Sequence, residues 1–151
     1  MKQHLVRLAV IGLWAMSPFA FAGDKDDVAA STQKWADAFS RDTPDEIVAM
    51  YDKEAVLWGT SSPVRRDGPE QIRAYFVSAF ERLRDRKVTI GDQLIRVYND
   101  IAINTGYYTF RTTVNGEKKE SPARFSFVFR KRNGRWVIVD HHSSAMPPPP
   151  K

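Results

Sequence analysis

The chain of 151 residues has no cysteine. That excludes disulfides, thiolate metal sites and cysteine nucleophiles together. Histidine is nearly as scarce: His4, His141 and His142 are all there is. No apolar run reaches the ~20 residues a membrane-spanning helix needs; the stretch from Leu8 to Met16 stops at Ser17-Pro18. The sequence has no Gly-rich phosphate loop, nucleophile elbow or metal-protease motif, and no internal repeat.

What is present begins with the N-terminus. Lys2 and Arg7 precede the short apolar run, and Ala20-Phe21-Ala22 puts small residues where a signal peptidase reads. These three parts make a secretory signal over residues 1–22, cut before Gly23, and predict a periplasmic or secreted protein. Without that segment 129 residues remain, one domain by length. Such a chain buries roughly two-thirds of its unfolded surface, enough for a core without staples. The loss of Lys2 and Arg7 leaves 21 basic against 18 acidic residues, a net of +3. An exported chain so weakly basic is not expected to bind nucleic acid. The cluster Arg82, Arg84, Arg86 and Lys87 reads as a solvated helix end, where cations complement the helix dipole.

The mature chain opens with helical patterning. Val28, Thr32, Trp35, Ala36 and Phe39 share a helix face, with Asp26 or Asp27 as cap. Thr43-Pro44-Asp45-Glu46 reads as a capping box opening a second, short helix through Ile47, Val48, Met50 and Tyr51. Ala55 to Trp58 reads as a strand and Gly59 to Gly68 as a loop. Pro69 opens a third helix with Ile72, Tyr75, Phe76, Ala79, Phe80 and Leu83 as its buried stripe. Strands follow: Lys87 to Ile90, Gln93 to Tyr98, Ile101 to Val114, Glu117 to Arg132 and Arg135 to Ser143. Asn115-Gly116 and Asn133-Gly134 are hairpin turns, and Pro122 calls for an edge or a bulge. Residues 23–147 form the domain, and 148–151 a proline-rich tail. Helices followed by long antiparallel hairpins predict an α+β fold, with the helices packed on one face of a curved antiparallel sheet. The space between such a sheet and its helices is a natural pocket.

The run from Pro122 to Pro147, with Gly134-Arg135-Trp136 and His141-His142-Ser143-Ser144 as its most specific part, resembles the association (hub) domain of calcium/calmodulin-dependent protein kinase II. It also resembles the stand-alone bacterial versions of SgcJ/EcaC type, within the nuclear-transport-factor-2-like superfamily. Tyr51 to Pro63 and Ile72 to Phe80 fit the same pattern, so the resemblance covers nearly all of residues 28–147. It implies a cone-shaped curved antiparallel sheet with three N-terminal helices packed on its concave face, in a domain that associates with itself as a dimer or larger ring, and a polar pocket inside the cone. It implies neither a kinase nor calmodulin as a partner. The kinase hub carries an arginine directly after its second histidine; here Ser143 stands in that place, so the hub's anionic-ligand pocket does not carry over intact.

The two histidines are adjacent, so on a strand they face opposite ways and cannot chelate one metal. A two-residue turn at Asn133-Gly134 sets Arg124 opposite Ser143 and Ser126 opposite His141. A three-residue loop sets Arg124 opposite His142 and Ser126 opposite Asp140. Either register puts Arg124 on the face of one histidine, with Phe125, Phe127 and Phe129 on the other. Arg124 is thus a pocket cation or an interface residue. Trp58 and Tyr51 suit a pocket mouth, and either Tyr107 or Tyr108 can offer a hydroxyl. Trp136 reads as core, and Arg65-Arg66-Asp67 as loop structure. The candidate ligand-binding set is Arg124, His142, His141, Trp58, Tyr107 and Tyr51, for a small polar or anionic molecule, with no metal or cofactor. The primary expectation is an exported association and ligand-binding domain. The alternative is an acid–base enzyme of SnoaL-like, isomerase, dehydratase or cyclase type, using His142 or His141 with Asp140.

Overall fold

In a computed structural model the described residues are 23–150. The expected signal segment 1–22 lies outside them. Three helices, α1 (Asp24–Ser40), α2 (Pro44–Val48) and α3 (Gly68–Arg82), accompany six strands: β1 (Tyr51–Trp58), β2 (Arg66–Asp67), β3 (Arg84–Tyr98), β4 (Ile101–Val114), β5 (Glu117–Arg132) and β6 (Arg135–Ala145). The strands form one curved, open sheet in the order β2-β1-β6-β5-β4-β3.

The expected α+β architecture is present, with one correction to the sheet. It is mixed, because β1 runs parallel to β6, with Leu57 beside His141 and Trp58 beside His142. A strand separated from its neighbour by a helix and a whole meander is free to pair parallel, as adjacent hairpin strands are not.

The hairpins follow their turn residues. Asn115 and Gly116 sit at φ 52° and 83°, Asn133 and Gly134 at 49° and 76°, the left-handed pair that a two-residue turn requires. The apolar stripe of α1 is buried as its period predicts, as are Ile72, Phe76, Ala79 and Phe80 of α3, while Tyr75 and Leu83 are half-buried against the core. Trp35 packs edge-on against Phe76, Tyr108, Phe127 and His141, with ring centroids 5.0–6.4 Å apart. Phe125, Phe127 and Phe129 supply the sheet side of this core.

Several local expectations are revised. α1 starts at Asp24 with Gly23 as its cap, and neither Asp26 nor Asp27 caps it; both lie in the first turn, where acids suit the dipole. The capping box does not form. Thr43 makes no capping bond, and Glu46 pairs with Arg41 at 2.7 Å instead. Tyr51 begins β1 rather than ending α2, because the Ile138 amide donates to the Met50 carbonyl and draws the chain into the sheet. The two expected strands before Tyr98 are one strand, β3, bent by an irregularity between Ile90 and Gln93. Pro122 lies one residue beyond the last β5–β6 pair, Ala123 with Ala145, where a missing amide is tolerated.

The basic cluster also divides. Arg86 is not solvated: its side chain is 5% exposed. It donates to the carbonyls of Phe39, Arg41, Phe80 and Leu83, and to Asp42. One guanidinium thus satisfies carbonyls at the C-terminal ends of both α1 and α3, groups that helix geometry leaves without partners.

Candidate functional site

The site is decided by one residue of β6. Beside the Asn133-Gly134 turn the register is that of a two-residue loop, with Arg132 opposite Arg135 and Phe129 opposite Ile138. Val139 then has no partner on β5, and beyond it Val128 faces Asp140, Phe127 faces His141 and Ser126 faces His142. A bulge of this kind re-aims every later side chain. Neither register expected from the sequence holds throughout. His141 turns toward the helices, and His142 joins Arg124 on the opposite face.

The inward side holds a polar cluster within the aromatic core. His141 is 1% exposed and stacks on Phe127 at 4.0 Å between centroids. Its Nδ1 lies 2.8 Å from the Tyr51 hydroxyl, which also receives the Trp35 Nε1–H at 3.0 Å. Trp35 can only donate, so the Tyr51 oxygen accepts from it. The Tyr51 proton then has one acceptor within reach, His141 Nδ1, and this assigns the histidine proton to Nε2. That Nε2 is buried and has no partner among the described residues. Burial pushes the His141 pKa down to about 3, helped by the charge of His142, so the ring is neutral. Burial also drives the Tyr51 pKa well up and raises that of Tyr108. Tyr108 donates to Ser143 Oγ at 2.5 Å, and Ser143 Oγ also meets the Thr60 hydroxyl.

Between these groups lies a cavity of about 20 Å³, lined by His141, Ser143, Tyr108, Thr60 and Tyr75 among aromatic rings. It has room for about one water. Hydroxyls and a neutral imidazole are its polar lining; no charged side chain is among its walls.

The other four expected ligand residues are on the helix-free face. Leu94, Thr105, Ser126, His142 and Trp58 make a row of paired positions across five strands. Tyr107, Arg124 and Ser144 make the next row. A shallow groove of about 520 Å³ runs over these rows, with Asp92 in its wall. Tyr107 is 50% exposed and Trp58 45%, the latter with Arg65 5.9 Å over its ring. Asp140 has this aspect too, opposite Val128, and partial burial raises its pKa. Of the six candidates, Tyr51 and His141 therefore converge in the core, while Arg124, His142, Trp58 and Tyr107 share the outer groove region. The sequence reading missed Trp35, Thr60, Tyr75 and Ser143 as members of the inner cluster. Trp35 and Tyr75 read only as helix stripe, and nothing local marks Thr60. Trp136 is core, as read; Arg65 pairs with Asp67 at 2.7 Å, but Arg66 and Asp67, expected as loop, form β2 because they pair with Leu57 and Val56 at the sheet edge. Among the described residues no group of three or more His, Asp or Glu is placed to hold a metal ion.

The calcium/calmodulin dependent protein kinase II association domain model matches residues 24–147. The chain belongs to that family. A candidate association domain of the same kind from Xanthomonas campestris is 34% identical, with a TM-score of 0.77 over 91% of this chain and 99% of that one. Two more distant structures share the fold alone. A ketosteroid isomerase-like protein from Erwinia carotovora atroseptica is 21% identical, with a TM-score of 0.73 over 85% of this chain and 100% of the other. A candidate dehydratase of the nuclear-transport-factor-2-like family from Streptomyces avermitilis is 13% identical, with a TM-score of 0.75 over 82% and 97%. No curated protein matches. In this association domain, then, the inner cluster lies on the helix side of the sheet, and among the described residues no helix packs on the outer face.

Proposed function

We propose that this association domain is exported, assembles with copies of itself through the outer face of its sheet, and holds a small polar ligand in the cone. The observation that carries the reading is that outer face. Leu94, Tyr98, Tyr107 and Trp58 are exposed there, beside the half-buried Ile101, Ile103, Val128 and Val137. Large apolar side chains exposed together on one sheet face suit a covering partner. The groove holds both Arg124 and Asp92, so the surface carries charges of both signs and suits an isologous contact with a second copy. Family membership supports the same reading. The signal segment, cut before Gly23, directs the domain to the periplasm or outside the cell, and neither nucleic acid nor calmodulin is a partner.

Light scattering of the mature protein tests the assembly. A dimer or larger ring is expected, and Leu94→Glu with Tyr107→Glu should reduce it to monomer. A wild-type monomer at tens of micromolar overturns the reading. Mass spectrometry of the exported chain should find Gly23 at its N-terminus.

Acid–base turnover is the second reading, favoured by the hydrogen-bonded Tyr51–His141 pair in the core. It ranks lower because a buried imidazole with a pKa near 3 is a poor base, and Asp140 lies on the other face of the sheet.

A further inference from the structure

The inner cavity is closed on one side by Tyr75. Its ring lies where a side chain on Gly59 would be: a Cβ built there would collide with the ring carbon that carries the hydroxyl. The same ring is a wall of a second, outer cleft of about 130 Å³ between α3 and the loop from Ser61 to Arg66. Tyr75 is therefore the partition between an inner polar cavity and an opening to solvent. Among the described residues its hydroxyl forms no hydrogen bond, so contact with Gly59 and neighbouring rings is what holds it shut. Behind it, His141 Nε2 stands without a partner. Its ring is fixed from the far side by Tyr51, and the fully buried nitrogen belongs to a residue that lines the cavity. A buried N–H left unpaired carries a free-energy penalty that an incoming acceptor removes.

We propose that the space behind Tyr75 is a gated site for a small uncharged molecule with a carbonyl acceptor, a ketone or aldehyde. His141 Nε2–H is its donor, and Tyr75 is the lid that closes against Gly59. This rests on the cone reading above and narrows its ligand class. The chemistry of the walls sets that class. A carboxylate entering the cavity would leave water with no cation to meet it, since Arg124 is on the other face of the sheet. A carbonyl needs one donor and apolar walls, and finds the Nε2–H among Trp35, Phe39 and Phe76. Its size is limited to about that of the ring Tyr75 withdraws.

The probes are cyclohexanone and cyclohexanecarboxylate, similar in shape and different in charge. Binding is followed by the histidine ring ¹⁵N signals of the mature protein. Free protein should show His141 protonated at Nε2, and cyclohexanone should shift that signal. Tyr75→Ala opens the lid by truncation; Gly59→Ala opens it by displacing the intact tyrosine, and the backbone there is outside the left-handed region. Each should tighten cyclohexanone binding at least tenfold, with the carboxylate at least tenfold weaker than the ketone. The proposal is overturned if the proton sits on Nδ1, if both variants bind the ketone no better than wild type, or if binding leaves His141 unmoved. Carboxylate binding at His141 as tight as the ketone's overturns the uncharged class and leaves the cone pocket standing. Assembly that persists in light scattering while neither probe binds any of the three proteins overturns the cone site and leaves the association reading intact.

Discussion

His141 should make this protein acid-sensitive well above the range where carboxylates titrate. The folded chain holds the ring neutral down to about pH 3, against 6.5 for a free imidazole. Below pH 6.5 the unfolded chain takes up a proton that the folded chain refuses. The contribution of His141 to stability is thus fully present above pH 6.5 and is lost as pH falls toward 3. Each pH unit in that window is about 1.4 kcal/mol. Integrated from pH 7 to pH 5, the loss is about 2 kcal/mol, and over the whole window about 5 kcal/mol. The groups around the ring do not offset this. Burial raises the pKa of both Tyr51 and Tyr108, so they stay neutral throughout, and His142 adds only repulsion. Urea unfolding followed by tryptophan fluorescence at pH 7, 6 and 5, at one protein concentration, reads the loss as a falling midpoint. His141→Asn keeps an acceptor near the position of Nδ1 and removes the titration. It should lower stability at pH 7 and flatten the decline toward pH 5, while contributions from carboxylates cancel in the comparison. A decline equally steep in both proteins, or a flat wild type, refutes the burial argument.

Three other perturbations follow from the packing. Arg86→Met leaves carbonyls at two helix ends unpaired and should cost about 3–5 kcal/mol by urea midpoint; Arg86→Lys should recover less than half of it, since an ammonium lacks the fork that reaches Phe39, Phe80 and Leu83 together. Trp35→Phe keeps the aromatic contacts but removes the donor to Tyr51, and should cost about 1 kcal/mol. Deletion of Val139 removes the bulge while leaving Asp140, His141 and His142 their partners Val128, Phe127 and Ser126, so a cooperative, native-like unfolding transition should persist; its loss would show that the ladder needs the extra residue.

How far the sequence could be read depended on how local each signal was. The stripes of α1 and α3 repeat within one element, and Asn115-Gly116 and Asn133-Gly134 carry their turn chemistry in two residues, so these came through. The alternation of Phe125, Phe127 and Phe129 with Arg124 and Ser126 likewise fixed the two faces of β5. The parallel pairing of β1 with β6 rests on contacts between distant segments, and no local pattern marks it. Tyr51 was misplaced for that reason: its neighbours Ile47, Val48 and Met50 have helical spacing, while its own conformation is set by Ile138. Arg86 sat in a run of basic residues that looked solvated, and only the meeting of α1 with α3 gives it carbonyls to bind. The candidate site was half legible. The residue types were identified, but they fall on two faces of the sheet.

That division follows from Val139. Were Val139 paired with Val128 instead of bulged, the alternation that buries Trp136 and Ile138 would continue through Asp140 and His142, and His141 would face outward with Arg124. An acid and an imidazole would then enter the core, beside Phe127 and Phe125. With the bulge, the core receives one imidazole that Tyr51 can fix in a single tautomer, followed by Ser143, which Tyr108 can bond. The outer face receives His142 and Asp140, where solvent or a second copy can meet them. A one-residue irregularity therefore places the neutral donor cluster on one side of β6 and the ionisable groups on the other. The association proposed for the outer face and the ligand capture proposed for the cone can then be tested by separate mutations, though the residues involved are neighbours in sequence.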